Sequence, residues 1–149
     1  MKTWAHFIGA EPALGEFGRQ RLEGRIAYLA TIRPDGSPRV HPVSPFIGGD
    51  YLFVYMEPTS PKGNDLRRDA RYALHCAVED NSGGQGEFLL RGHALEIGDE
   101  LSREAAFATA RAIGYNPQAR YVLFELKIAE VIATVYPDDQ PVRQRWKAD

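Results

Sequence analysis

Residues 38–47, PRVHPVSPFI, read as an extended strand, yet Pro42 and Pro45 lie inside it. Proline has no amide hydrogen to give to a sheet ladder, so this strand must be irregular or lie partly at a sheet edge. Turn signals bracket it on both sides. Arg33-Pro34-Asp35-Gly36-Ser37 precedes it as a hairpin loop, with proline presetting the turn and glycine taking the positive φ. Gly48-Gly49-Asp50 turns the chain again after it. The flanking runs, 25–32 and 51–56, are rich in β-branched, aromatic and small residues and predict two further strands. In the first of these both alternations are apolar or small, as in a barrel wall or a wall covered by a partner.

The rest of the chain supplies more of the same. Residues 11–23 space Leu14, Phe17, Arg21 and Leu22 as a helix does, with Gly24 to end it and with Gly15 and Gly18 weakening it. Residues 71–79 predict a fourth strand carrying His75 and Cys76, and 80–86 a mobile polar loop. Residues 87–97 predict a fifth strand, with Gly92 as a bulge or bend. Asp99 caps a predicted helix over 100–113 with an apolar stripe of Leu101, Ala105, Ala108, Ala112 and Ile113. Residues 120–136 predict a sixth strand, bent or split near Ala129-Glu130. The tail carries Arg143, Arg145 and Trp146, suited to covering a neighbour's surface. Six antiparallel strands with short peripheral helices favour a small β-barrel over a sandwich, in one domain over 1–149.

Several classes of function are disfavoured. With 18 basic and 20 acidic residues the net charge is −2, which argues against a nucleic-acid or anionic-membrane partner. No apolar run approaches the ~20 residues of a membrane span. Acids and a proline come too early for a signal peptide, so a cytoplasmic location is expected. The lone cysteine, Cys76, reads as a small buried side chain. His6, His41, His75 and His93 are scattered among strands, and no HExxH, CxxC or GxSxG motif is present, so neither a metal site nor a nucleophile is expected. Any reactive centre would belong to a cofactor. One local feature suits an anion. Ser60-Pro61 fits the start of a helix, placing Lys62 in its first turn, where a cation opposes the helix dipole unless a bound anion shares both. The alternative is a solvated lysine on a short helix.

The run from Arg25 to Asp80 (RIAYLATIRPDGSPRVHPVSPFIGGDYLFVYMEPTSPKGNDLRRDARYALHCAVED), followed by GEFLLRGHALEI, resembles the flavin-binding split-barrel family that includes pyridoxamine 5′-phosphate oxidase. The resemblance spans roughly residues 20–135. It implies a mainly β fold with peripheral helices, a six-stranded antiparallel split β-barrel with Greek-key-like connections. It also implies a homodimer with FMN at its interface. On this resemblance Arg39, Val40, His41, Pro42, Val43 and Ser44 match the strand along the flavin, with Arg39 on the phosphate and main-chain groups near Val43 and Ser44 at the ring. Tyr55 and Met56 match a second flavin-facing strand end, and Ser60 and Lys62 the phosphate-binding turn. Glu87 falls where the family often has a glutamine reaching the isoalloxazine. Pro61 stands where the oxidase commonly has arginine. The oxidase's C-terminal Trp-x-Gly and Arg-x-His-x-Arg-like elements have no counterpart in PVRQRWKAD, so vitamin B6 oxidation is not implied. The expectation is an FMN-dependent oxidoreductase moving a hydride to or from a small-molecule substrate. The alternatives are a reductase using the deazaflavin coenzyme and a non-catalytic flavin- or haem-binding protein, with His41 or His75 as haem ligands.

Overall fold

From the N-terminus the computed structural model, which describes residues 1–149, places α1 (Trp4–Ala10), α2 (Pro12–Leu22), β1 (Ala27–Ile32), β2 (Pro38–Val43), β3 (Phe46–Gly48), β4 (Tyr51–Met56) and α3 (Pro61–Arg68). There follow β5 (Arg71–Cys76), β6 (Glu87–Ile97), α4 (Glu100–Ala112), β7 (Val122–Val135) and β8 (Val142–Lys147). The strands number eight rather than the six expected. Proline explains one addition, because the proline-bearing segment divides at Ser44-Pro45 into β2 and β3. The tail explains the other, because it returns to pair with β7 over Glu130–Val135. Trp146 packs at a tilt against the chain's own Phe7, 5.1 Å between ring centroids. No helix is long and apolar enough to cross a membrane.

All pairings are antiparallel, in the order β2-β1-β5-β6-β7-β4-β3, with β8 on β7. The two ends of this path, β2 and β3, are separated in the chain only by Ser44 and Pro45. A sheet whose ends are tied so closely must curl until they meet. The result is a mainly β split barrel whose seam runs between β2 and β3, which share no ladder. The long strand β7 is bent and unbroken. Arg91 faces Glu130 while Gly92 faces Ile128, so Ala129 is the extra residue of a bulge. A Cβ on Gly92 would lie 1.8 Å from the Lys127 carbonyl oxygen, which reserves the position for glycine.

The barrel interior takes one alternation of each strand, including Leu29, Leu74, Leu90, Val54, Leu126 and Val131, all fully buried. Trp4 and Phe7 of α1, an element the sequence pattern did not show, join this core around Phe88. Gly18 of α2 admits the Phe88 ring, since a Cβ there would be 2.3 Å from its edge, so the glycine that weakens the helix is what lets it dock. Outside the barrel α4 lies on Phe46, Phe53 and Leu123. Asp99 caps it, accepting from the Ser102 amide at 2.9 Å. Its buried face is Ala106 and Ala110 rather than the expected stripe, and Leu101 is 81% exposed.

Arg21 sits at an apolar position of α2 and is 2% exposed. It is buried because its guanidinium is spent on the chain's own carbonyls. Nη2 donates to Ala77 at 2.6 Å, Nε to Gly86 at 3.1 Å, and Nη1 to the Gln85 side chain at 3.1 Å. These bonds tie the 77–86 loop to the helix. Arg21→Met removes the donors and strands two carbonyls, at about 1–3 kcal/mol each. Urea unfolding is expected to show a loss of about 3 kcal/mol with an unchanged m-value, and a loss within experimental error would exclude the clamp.

Candidate functional site

Helix α3 is held against the barrel by a buried acid. Asp65, 2% exposed, accepts from Thr31 Oγ1 at 2.8 Å and from Arg39 Nε at 2.7 Å, and pairs with Arg68 at 3.2 Å. Burial pushes its carboxyl pKa up, and the bonds from Arg39, Thr31 and Arg68 more than reverse this, holding it below the usual range. Arg68 also donates to the Ile32 carbonyl. Thr31 and Arg39 are direct partners across β1 and β2, so one carboxylate gathers both strands under the helix.

Lys62 lies one turn before Asp65 and therefore on the same side of α3. Its ammonium donates to Ser60 Oγ at 2.9 Å and forms no salt bridge. Burial alone lowers its pKa. The Ser60 hydroxyl makes no bond to the helix's first amides, so it does not cap them. Arg39 engages Asp65 through Nε, which leaves its terminal nitrogens free. Lys62 and Arg39 are thus tied to the same short helix, one through Ser60 at its start and the other through Asp65.

The other residues named from the sequence divide by location. Val40, Pro42 and Ser44 are exposed, His41 is half-buried and Val43 is buried. Val40 and Pro42 project outward, and Pro42 shares a row with Tyr28, His75 and Leu89 across β1, β5 and β6. Tyr55 is half-buried in an aromatic stack with Phe46, at 5.4 Å and 7°, and with Tyr115 at 6.0 Å. Met56 is buried in the main core, so only its backbone can meet a ligand. Glu87 does not join Lys62 within one chain. Met56 pairs at Val122 of β7 whereas Glu87 pairs at Thr134, about 40 Å further along the strand.

Glu87 instead belongs to a second polar group. It accepts from the Tyr136 hydroxyl and lies 3.3 Å from His75 Nε2, while His75 Nδ1 donates to the Cys76 carbonyl at 2.6 Å. The Cys76 side chain first, then its carbonyl and Glu87, hold the imidazolium up to about 9 against the burial that pushes it down. Tyr136, like Asp65, carried no signal in the sequence beyond its residue type. Cys76 is buried, with its sulfur accepting from the Phe88 amide at 3.2 Å. Because the folded pKa of His75 exceeds the unfolded value of about 6.5, its contribution to stability is complete below that pH and lost between about 6.5 and 9. An NMR titration of the ring is expected to give a midpoint near 9, and Glu87→Gln is expected to lower it; a midpoint near 6.5 in the parent would refute the pairing.

This architecture is shared with solved structures of low sequence identity. A haem-binding protein from Mycobacterium smegmatis superposes with a TM-score of 0.69 at 17% identity, over 92% of this chain and 59% of that one. PhzG from Burkholderia lata 383, solved with tetrahydrophenazine-1-carboxylic acid, gives a TM-score of 0.65 at 16% identity over 96% and 86% of the two chains. An F420 reductase gives 0.60 at 18% identity, over 76% of this chain and 94% of that one. No curated protein matches by sequence. Residues 16–135, the barrel with its seam, Lys62 and Asp65, match the family model described as pyridoxamine 5′-phosphate oxidase, and the chain belongs to that family.

Proposed function

We propose that the chain is a flavin-dependent oxidoreductase that binds FMN with its phosphate at the start of α3. The observation that carries this reading is Lys62, a half-buried ammonium in the first turn of α3 with a hydroxyl and no carboxylate for a partner, on the helix that Arg39 reaches through Asp65. FMN, when bound, supplies hydride chemistry at N5 of its ring. The chain's own part is placement. Lys62, Ser60 and the α3 amides hold the phosphate, and Asp65 keeps Arg39 turned toward it. The edge of β2, where Pro42 leaves the ladder incomplete, offers main-chain groups at Val43 and Ser44 to the ring. The membership of the family supports a flavin, and the shared fold of an F420 reductase keeps a deazaflavin as the second reading, since its phosphate would suit the same cations. His75 has both ring nitrogens engaged, which disfavours it as a haem ligand.

A homodimer belongs to the same proposal. On the outside of the barrel Ile26, Tyr28 and Val40 are 47%, 45% and 62% exposed and form an apolar surface. A second copy covering it would account for a first strand that is apolar on both sides.

The absorbance spectrum and mass of the co-purifying cofactor test the identity directly, with a yellow protein releasing FMN on denaturation as the expected result. Lys62→Ala is expected to weaken FMN at least tenfold, about 1.4 kcal/mol, and an unchanged titration would remove Lys62 from the site. Sedimentation at micromolar concentration is expected to show a dimer that Tyr28→Arg dissociates. A monomeric parent would reject the shared interface.

A further inference from the structure

A cavity lies at the seam between β2 and β3, where Ser44, Pro45 and Phe46 line it. Its volume is about 280 Å³, room for a molecule of one or two rings. The end of α4 builds the opposite wall. Gly114 takes a φ of 83° and stops the helix, and the Tyr115 amide donates back to the Ala110 carbonyl at 2.9 Å. This cap brings the Tyr115 ring to Phe46, 6.0 Å between centroids. Tyr55 completes the aromatic group from behind, 5.4 Å from Phe46 and 6.0 Å from Tyr115.

Ile26 and Ile113 add to the apolar lining, and each is 47% exposed. Two large aliphatic side chains therefore stand open to solvent around one small cavity. Ser44 is a polar member of the lining and spends neither its amide nor its carbonyl on another backbone group. Arg25 is the one charged residue there, and its guanidinium is already paired with Glu79 at 3.0 Å. A carboxylate or phosphate would find no unpaired cation in this lining, and an ammonium would find no acid. Aromatic walls, a polar edge and no free charge suit a neutral planar molecule.

We propose that this cavity binds the organic substrate, a neutral aromatic compound of one or two rings, with its polar substituent at Ser44 and its ring against Phe46 and Tyr115. The ligand's role as substrate rests on the flavin reading, which places Ser44 beside the isoalloxazine. Its binding rests on the lining alone. Ile26 belongs both to the lining and to the apolar face assigned to a second copy, so the cavity opens at the edge of that face.

The test uses the full chain, first alone and then loaded with FMN, and NMR at neutral pH. The probes are 2-naphthol, which is neutral there, and 2-naphthoate, its anionic counterpart. The amides of Ser44, Phe46, Gly114 and Tyr115 are expected to shift with 2-naphthol, bound roughly tenfold or more tightly than 2-naphthoate. Ile113→Arg, a change at the exposed end of α4, is expected to reverse that preference. Ile113→Trp, with the remaining amide spectrum retained, is expected to fill the cavity and abolish 2-naphthol binding. Equal affinity for the two probes, shifts confined to other residues, or full 2-naphthol binding by Ile113→Trp would each overturn the proposal. With FMN bound, 2-naphthol is expected to perturb the visible flavin absorbance, and amide shifts without that change would overturn the substrate role. If the parent takes up no FMN the flavin reading falls, while 2-naphthol shifts at Ser44 and Tyr115 would still support the binding site.

Discussion

The site depends on the Asp65 carboxylate. A buried acid is tolerable only when donors replace the water it has lost, and here three side chains from three elements do so: Thr31 of β1, Arg39 of β2 and Arg68 of α3. Removing one partner leaves the others facing an incompletely paired charge, so the group holds as a unit. Since the depressed pKa lies below the unfolded one, this stabilisation is present at neutral pH and fades as acid protonates the group. The same carboxylate holds the Arg39 guanidinium to the helix that carries Lys62, whose ammonium is held by Ser60.

The seam between β2 and β3 carries the second constraint. One short segment forms both ends of the sheet, and its prolines keep the ends from zipping together or onto a stray strand. The exposed backbone that results lies next to the outward row of Pro42, Tyr28 and His75. A closed barrel would have no such row of open groups beside an apolar face.

Much of this was legible in the residues, and the exceptions have physical causes. β6 runs over the residues that alternation assigns, and Asp99 caps α4 as its position suggests. The buried face of α4 was not legible because alanines occupy 105, 106, 108, 110 and 112, so no stripe stands out. β8 was hidden because VRQRWK pairs by its backbone and offers only Trp146 to the core. Lys62 could be found from Ser-Pro-Lys, a local signal. Asp65 could not, since its partners are 34 and 26 residues away.

The long strand β7 bears on how the folded chain avoids pairing with strands of other chains. One of its edges runs along β6, and the other is shared out: β4 takes Val122–Glu125, Lys2 bridges Ile128, and β8 takes Glu130–Val135. Without the last of these, six residues with β-branched character would present unpaired N–H and C=O groups, a template for strands of other chains. β8 is charged along its outward edge, with Arg143, Arg145 and Lys147, and so does not pass the vulnerability on. Its cationic residues act as gatekeepers against intermolecular β-pairing, a role that would be lost in a chain cut short at the Pro137–Asp139 turn.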